Sequence, residues 1–281
     1  MGRAKALSPF FSKGNGMSSK RMWMRRIGVV AIVIMLWGLC VRAEAYKEGP
    51  VTNGGTVKGT VRFEGTVPPS KAFELWRAPD REFCGALSGG TEFRILREVV
   101  VGEGNALKDV VITIEDVAQG KPFELKETKL DANICQFLPF VSVVRDQHPM
   151  TIFNLDPVSH DLQVYERDRE HVNIMFHRPA ITKTGTTGRI AFTGDRSEMT
   201  MQCGKHPYMQ AHGLAVENPY YAVTGPDGAY EISNLPPGTY QIRAWHPVLP
   251  AQEQEVTVSP DGSKAVEFTF KSQGPPFAPT P

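Results

Sequence analysis

The stretch Ser197-Glu-Met199-Thr-Met201-Gln-Cys203-Gly-Lys-His206-Pro-Tyr-Met209 decides how this chain is read. In its first half Met199, Met201 and Cys203 alternate with Thr200 and Gln202. That is the period of a strand, so two thioethers and a thiol share one face. The second half turns and brings an imidazole and a third thioether back over the strand end. Upstream, Met150-Thr-Ile-Phe-Asn-Leu-Asp-Pro-Val-Ser-His160 ends in a further histidine. His160 opens a run in which Leu162 and Val164 recur at the same period, so its ring also points inward. His160, Cys203, His206 and Met209 therefore form a donor set delivered by two adjacent strand ends. Two imidazoles and a thiolate in a plane with a weak axial methionine suit one mononuclear copper ion. Zinc also accepts thiolate and imidazole, but it prefers four strong ligands and seldom methionine. Met199 and Met201 read as core filling, a role that flexible thioethers suit.

These motifs resemble the cupredoxins. The Cys203-x2-His206-x2-Met209 spacing is similar to the short ligand loop of the amicyanin type, and the segment ending in His160 resembles the strand and loop that deliver the first histidine. The resemblance runs from about Leu130 to Val216. It implies a Greek-key β-sandwich, a type 1 copper site, and electron exit through the exposed edge of the loop histidine. Here that edge would be His206, inside an apolar patch of Pro207, Tyr208 and Pro157. An asparagine often follows the first histidine in that family; this chain has Asp161.

A second resemblance lies downstream. Ala222-Val-Thr-Gly-Pro-Asp-Gly228-Ala-Tyr-Glu-Ile-Ser-Asn-Leu-Pro-Pro-Gly238-Thr-Tyr-Gln-Ile-Arg-Ala-Trp245 is similar to carboxypeptidase regulatory-like, transthyretin-like modules. Asp227-Gly228 gives a hairpin turn needing positive φ. Pro236-Pro237-Gly238 reverses the chain, and Tyr230, Ile232, Tyr240 and Ile242 alternate inward. Residues 218–271 are few for a complete sandwich, and Gly55–Phe63 and Leu107–Ile114 resemble the missing opening strands. The expected fold is all-β: two β-sandwiches, with the cupredoxin either inserted in the transthyretin-like sandwich or joined to it in series. The resulting division is 1–45 signal peptide, 46–119 an N-terminal β segment of the regulatory-like sandwich, 120–217 cupredoxin, 218–271 regulatory-like module and 272–281 a proline-rich tail.

Other alternating runs support many short strands bounded by turn residues: Val57 to Phe63, Val110 to Ile114, Val141 to Val144, Ile152 to Leu155, Leu162 to Tyr165, Tyr240 to Trp245, Val256 to Val258 and Val266 to Phe270. The charged, Thr- and Gly-rich segment from Glu166 to Gly188 reads as a long loop.

The N-terminus reads as a targeting segment. Lys20, Arg21, Arg25 and Arg26 precede an apolar run from Ile27 to Val41, and Ala43-Glu44-Ala45 offers a cleavage site. Export to the periplasm is expected, with no stable membrane span after cleavage; the run is short for a retained anchor. Eight of the 31 Lys and Arg and one of the 30 acids lie in residues 1–45, which leaves 23 basic against 29 acidic residues, a charge of −6, in residues 46–281. That balance excludes a nucleic-acid partner, which calls for clustered cations. Outside the targeting segment the cysteines are Cys84, Cys135 and Cys203. Ligation accounts for Cys203 and leaves Cys84 and Cys135 available to pair in an oxidising compartment.

The function that follows is an exported one-electron carrier serving a redox protein such as a cytochrome or dehydrogenase, and not an enzyme. The chain lacks the His-x-His pairs of a second copper centre and the Cys-x-x-Cys-His of covalent haem. His148, His171, His177, His212 and His246 are scattered and read as ordinary surface or loop histidines. The competing classes are a structural or binding β-sandwich and a copper-delivery protein.

Overall fold

The computed structural model describes residues 46–88, 92–167, 174–177, 184–185, 187–192 and 197–272. The expected signal peptide, His171, the residues of the tail beyond 272 and most of the expected loop from Glu166 to Gly188 lie outside these residues. Within that stretch, however, Ile174–His177 is a strand, antiparallel to Leu162–Arg167.

Among the described residues the strands group into two sandwiches. In the first, a four-stranded sheet runs in the order Thr187–Ala191, Pro149–Asn154, Thr128–Asn133, Gln136–Leu138. It faces a five-stranded sheet in the order Ile174–His177, Leu162–Arg167, Glu198–Cys203, Gln210–Val216, Val141–Arg145. The alternation read from sequence is realised: Leu162, Val164, Met199, Met201 and Cys203 are buried in one core with Leu130, Met150, Ile152 and Met209. Each such side chain contributes about 1.5–3 kcal/mol on leaving water.

The second sandwich is split in sequence. Gly55–Glu64 pairs antiparallel with Ala229–Leu235 and parallel with Ser263–Ala265 and Phe268–Lys271. Val111–Ile114 lies between Tyr221–Val223 and Gly238–His246, and Leu249–Val258 follows on the edge. Its core gathers Val57, Val61, Phe63, Ile112 and Ile114 from before the first sandwich with Tyr220, Ile232, Ile242, Phe268 and Phe270 from after it. The first sandwich is thus an insertion between Val111–Ile114 and Tyr221–Val223. Gly228 carries the turn expected of it, at φ 66° and with a Cβ there falling 2.5 Å from the Val61 carbonyl oxygen.

A third apolar cluster joins the two. Val141, Val143, Leu214 and Val216 of the first sandwich pack with Val111 and Trp245 of the second and with Phe123. Because Gln210–Val216 faces a core on one side and this seam on the other, six of its seven residues are buried.

Residues 71–96 depart from the expected assignment of 46–119 to the regulatory-like sandwich. Lys71–Glu74 and Phe93–Leu96 form a small hairpin-like sheet, with a 3₁₀ turn at Leu75–Arg77 and one π-helical turn at Arg81–Gly85 between them. Leu75 and Cys84 are buried in the core of the first sandwich, with Phe73, Ala78 and Phe83 packed against it. This segment caps one end of that sandwich. It is covalently fixed, since Cys84 and Cys135 form a disulfide.

Candidate metal centre

The ligand loop is closed by its own backbone. The Cys203 N–H donates to the Met209 carbonyl at 3.0 Å, and the Met209 N–H donates to the His206 carbonyl at 2.9 Å. Cys203, at the inward-facing end of its strand, is thereby held under the turn that carries His206 and Met209. The second loop is anchored to the first through Asp161. Its N–H points at Cys203 Sγ at 3.4 Å, and its carbonyl accepts from the Gly204 N–H at 2.8 Å. Asp161 ties the two loops by backbone, while its carboxylate takes the Gln163 amide.

Three donors converge: His160 Nδ1 to His206 Nδ1 is 3.2 Å, Cys203 Sγ to His206 Nδ1 is 3.5 Å, and Cys203 Sγ to His160 Nδ1 is 3.9 Å. The circle through these three points has a radius of about 2.1 Å, the length of a metal–imidazole bond and slightly under that of a metal–thiolate bond. The residues present therefore fit a metal ion in the His₂Cys plane. Among the described residues this is the cluster of His, Cys and carboxylate groups able to hold one. Met209, at the end of the ligand loop, is fully buried in the same core as Cys203.

Both imidazoles present Nδ1 to the cluster, and the opposite nitrogens are held from behind. His160 Nε2 lies 2.8 Å from Asp156 Oδ2, and the same carboxylate oxygen accepts the Cys135 N–H at 2.9 Å. His206 Nε2 lies 3.4 Å from Asp80 Oδ2, and the ring also bonds the Pro79 backbone. An acceptor behind each ring sets its tautomer and leaves Nδ1 free for a metal. Burial lowers the pKa of His160 against the pull of Asp156. His206 is lowered by burial and then by His160, with Asp80 opposing. Both rings are thus neutral near pH 7, the state a metal ligand needs. Burial pushes the Cys203 thiol up, while the backbone N–H groups of Asp161, Lys205 and His206 favour its thiolate.

The expected exposure of His206 is not found. Its side chain is 0% exposed, because Pro79, Asp80 and Cys84 of the cap lie over its outer edge; Cys84 Sγ is 4.0 Å from Nε2. Tyr208 is buried too, with its ring 5.7 Å from that of His206 and edge-on to Phe73 of the cap. Of the expected patch only Pro157 and Pro207 are exposed.

Two other histidines also differ from expectation. His212 and His246 are buried, and burial lowers each pKa to about 4. His148 is half-buried, with Nδ1 at 3.0 Å from the Asp146 carbonyl. His177 ends its strand. Asp156 and Asp80 are the residues of the centre that the sequence did not single out. Asp156 stands four positions before His160 in a loop without periodicity, and Asp80 is distant in sequence.

Residues 213–271 match the carboxypeptidase regulatory-like domain family. No curated protein sequence matches the chain. Several solved structures are similar to part of it. One is the novel purple cupredoxin from Nitrosopumilus maritimus, at 13% identity and TM-score 0.26 over 32% of this chain and 99% of that one. Another is amicyanin from Paracoccus versutus, at 14% identity and TM-score 0.28 over 37% and 97%. A third is the copper-containing nitrite reductase from Thermus scotoductus SA-01, at 20% identity and TM-score 0.28, where the match covers 35% of this chain and 24% of that one.

Proposed function

We propose that this chain is an exported protein holding one mononuclear copper ion and passing single electrons between redox proteins. The observation that carries the reading is the convergence of His160 Nδ1, His206 Nδ1 and Cys203 Sγ, all within 3.9 Å of one another, in a buried pocket. His160, Cys203 and His206 would hold the ion, with Met209 as a weaker fourth donor. Bound there, copper supplies a one-electron couple.

The chain's own contribution is rigidity and exclusion of water. Asp156 and the Pro79–Asp80 edge fix the two rings, Asp161 fixes the sulfur, and the cap closes the outer side. A donor set that does not move between oxidation states suits electron transfer, and donors buried under the cap leave no open approach for a substrate, so we read the chain as a carrier and not an enzyme. The same closure separates a resident ion from delivery, which calls for ligands that open and exchange. The partner we propose is a protein such as a cytochrome or dehydrogenase in the periplasm.

Voltammetry of the copper-loaded protein tests this reading. A reversible one-electron wave, with electron exchange fast enough to serve a partner, is expected. Copper that binds but gives no reversible wave would favour a storage or delivery role.

A further inference from the structure

Each candidate ligand ring touches an aromatic neighbour. His160 meets Phe137 with centroids 6.4 Å apart, and His206 meets Tyr208 at 5.7 Å. Phe137 and Tyr208 both line a single cleft of about 420 Å³, formed where the cap strand Phe93–Leu96 and residues 97–109 meet Gln136–Leu138 and the ligand loop. Its volume is in the range of small-molecule sites, and it sits at a junction between structural units, where such sites concentrate.

The cleft is cationic with apolar walls. Arg94, Arg97 and Lys108 line it against one acid, Asp109, which Lys108 engages at 2.9 Å. Arg94 is buried and holds the Ile134 carbonyl at 2.8 Å and Ser88 Oγ at 3.2 Å. Those two bonds use two of the five N–H donors of a guanidinium. The Tyr208 hydroxyl is buried and has no hydrogen-bond partner among the described residues. That hydroxyl is closed to solvent, so a carboxylate in the cleft reaches it only when the Tyr208 ring turns outward, and the bond then made offsets the cost of a buried donor without a partner.

We propose that this cleft binds a small organic anion, a carboxylate carried on an apolar ring, and that its occupancy is felt at His160, Cys203 and His206 through Phe137 and Tyr208. The excess positive charge selects the carboxylate, and the aromatic walls select the ring. Tyr208 lies between His206 and Met209 in sequence, so any shift of its ring on binding moves the ligand loop. The binding half stands on the cleft alone, whereas the coupling half rests on the metal reading above.

Calorimetric titration of the purified protein, metal-free and copper-loaded, with benzoate, benzamide and acetate tests both halves. Saturable binding of one benzoate is expected, at least about tenfold tighter than benzamide, which lacks the charge, and than acetate, which lacks the ring. Tyr208→Phe deletes only the hydroxyl, and Arg97→Gln removes a cation of the cleft outside the ligand loop. Each should weaken benzoate about tenfold, the worth of one hydrogen bond to a charged group, and leave benzamide unchanged. Equal affinity for benzoate and benzamide, or no saturable benzoate binding at millimolar concentration, overturns the proposal. In the copper-loaded protein, benzoate should shift the visible thiolate-to-copper band; an unmoved band with benzoate bound overturns the coupling. If the protein takes no copper, the metal-free titration still decides the cleft, so the two readings fail separately.

Discussion

Replacing both Cys84 and Cys135 with alanine removes the bond that holds the cap over His206. The two cysteines are 51 residues apart, and the loop they close passes through the other sandwich at Val111–Ile114. For a loop of that length the chain-entropy relation gives roughly 14 cal/mol/K, or about 4 kcal/mol at 25 °C, lost from stability. Phe73, Leu75 and Phe83 keep the cap packed on the core after the bond is gone, so the fold should survive with a cap that opens more often. A loss of about 4 kcal/mol, if it acts on cap opening alone, raises the open population by about three orders of magnitude. Even a third of that loss predicts about a tenfold faster release of metal. The assay is paired: urea unfolding for global stability, and transfer of the bound ion to excess chelator for access. A variant that is destabilised in urea but releases metal at the wild-type rate would refute the cap as the barrier to the site.

Two further outcomes follow from the geometry. Met209→Leu should keep the metal and raise the reduction potential, because loss of a thioether donor disfavours the oxidised ion; complete loss of copper would make Met209 a primary ligand and contradict the His₂Cys plane. His212 and His246 link stability to acid: each is buried with a pKa of about 4 against 6.5 in the unfolded chain, so the unfolded state takes up protons first. Their contribution is complete above pH 6.5 and is lost as pH falls towards 4, by about 3 kcal/mol for each. Between pH 7 and 4 the urea midpoint of wild type should therefore fall further than that of the His212→Gln, His246→Gln variant; parallel pH profiles would refute the linkage.

What the sequence made legible was local in origin. The alternation of Met199, Met201 and Cys203 fixed an inward-facing thiol, and the Cys203 to Met209 spacing fixed a loop that folds back on it. The split sandwich was legible because the regulatory-like segment after Asn218 is too short to close a core alone. Coverage of His206 by the cap was not legible, since residues 71–96 carry no strong periodicity and meet the site only through the tertiary fold. Asp156 was hidden for a related reason: its role depends on one loop conformation, in which Asn154 accepts the Asp156 N–H. The burial of His212 was partly visible. Gln210-Ala-His-Gly-Leu-Ala-Val216 is nearly continuous in apolar residues, the pattern of a strand covered on both faces, and a histidine within it is buried whichever face it takes. Ile174–His177 pairs as an edge strand inside a charged stretch that lacks the usual pattern.

The most direct test of the central claim is a titration of the metal-free protein with copper(II), followed by visible absorption, in wild type and in Cys203→Ser. A thiolate is the donor in this set that gives an intense charge-transfer band, and a hydroxyl is a far harder ligand. Wild type should develop the band to an end point at one copper per chain, and Cys203→Ser should develop none while keeping its β-sheet circular dichroism. A band that persists in Cys203→Ser, or a wild-type protein that stays colourless at saturation, would contradict a copper centre built on His160, Cys203 and His206.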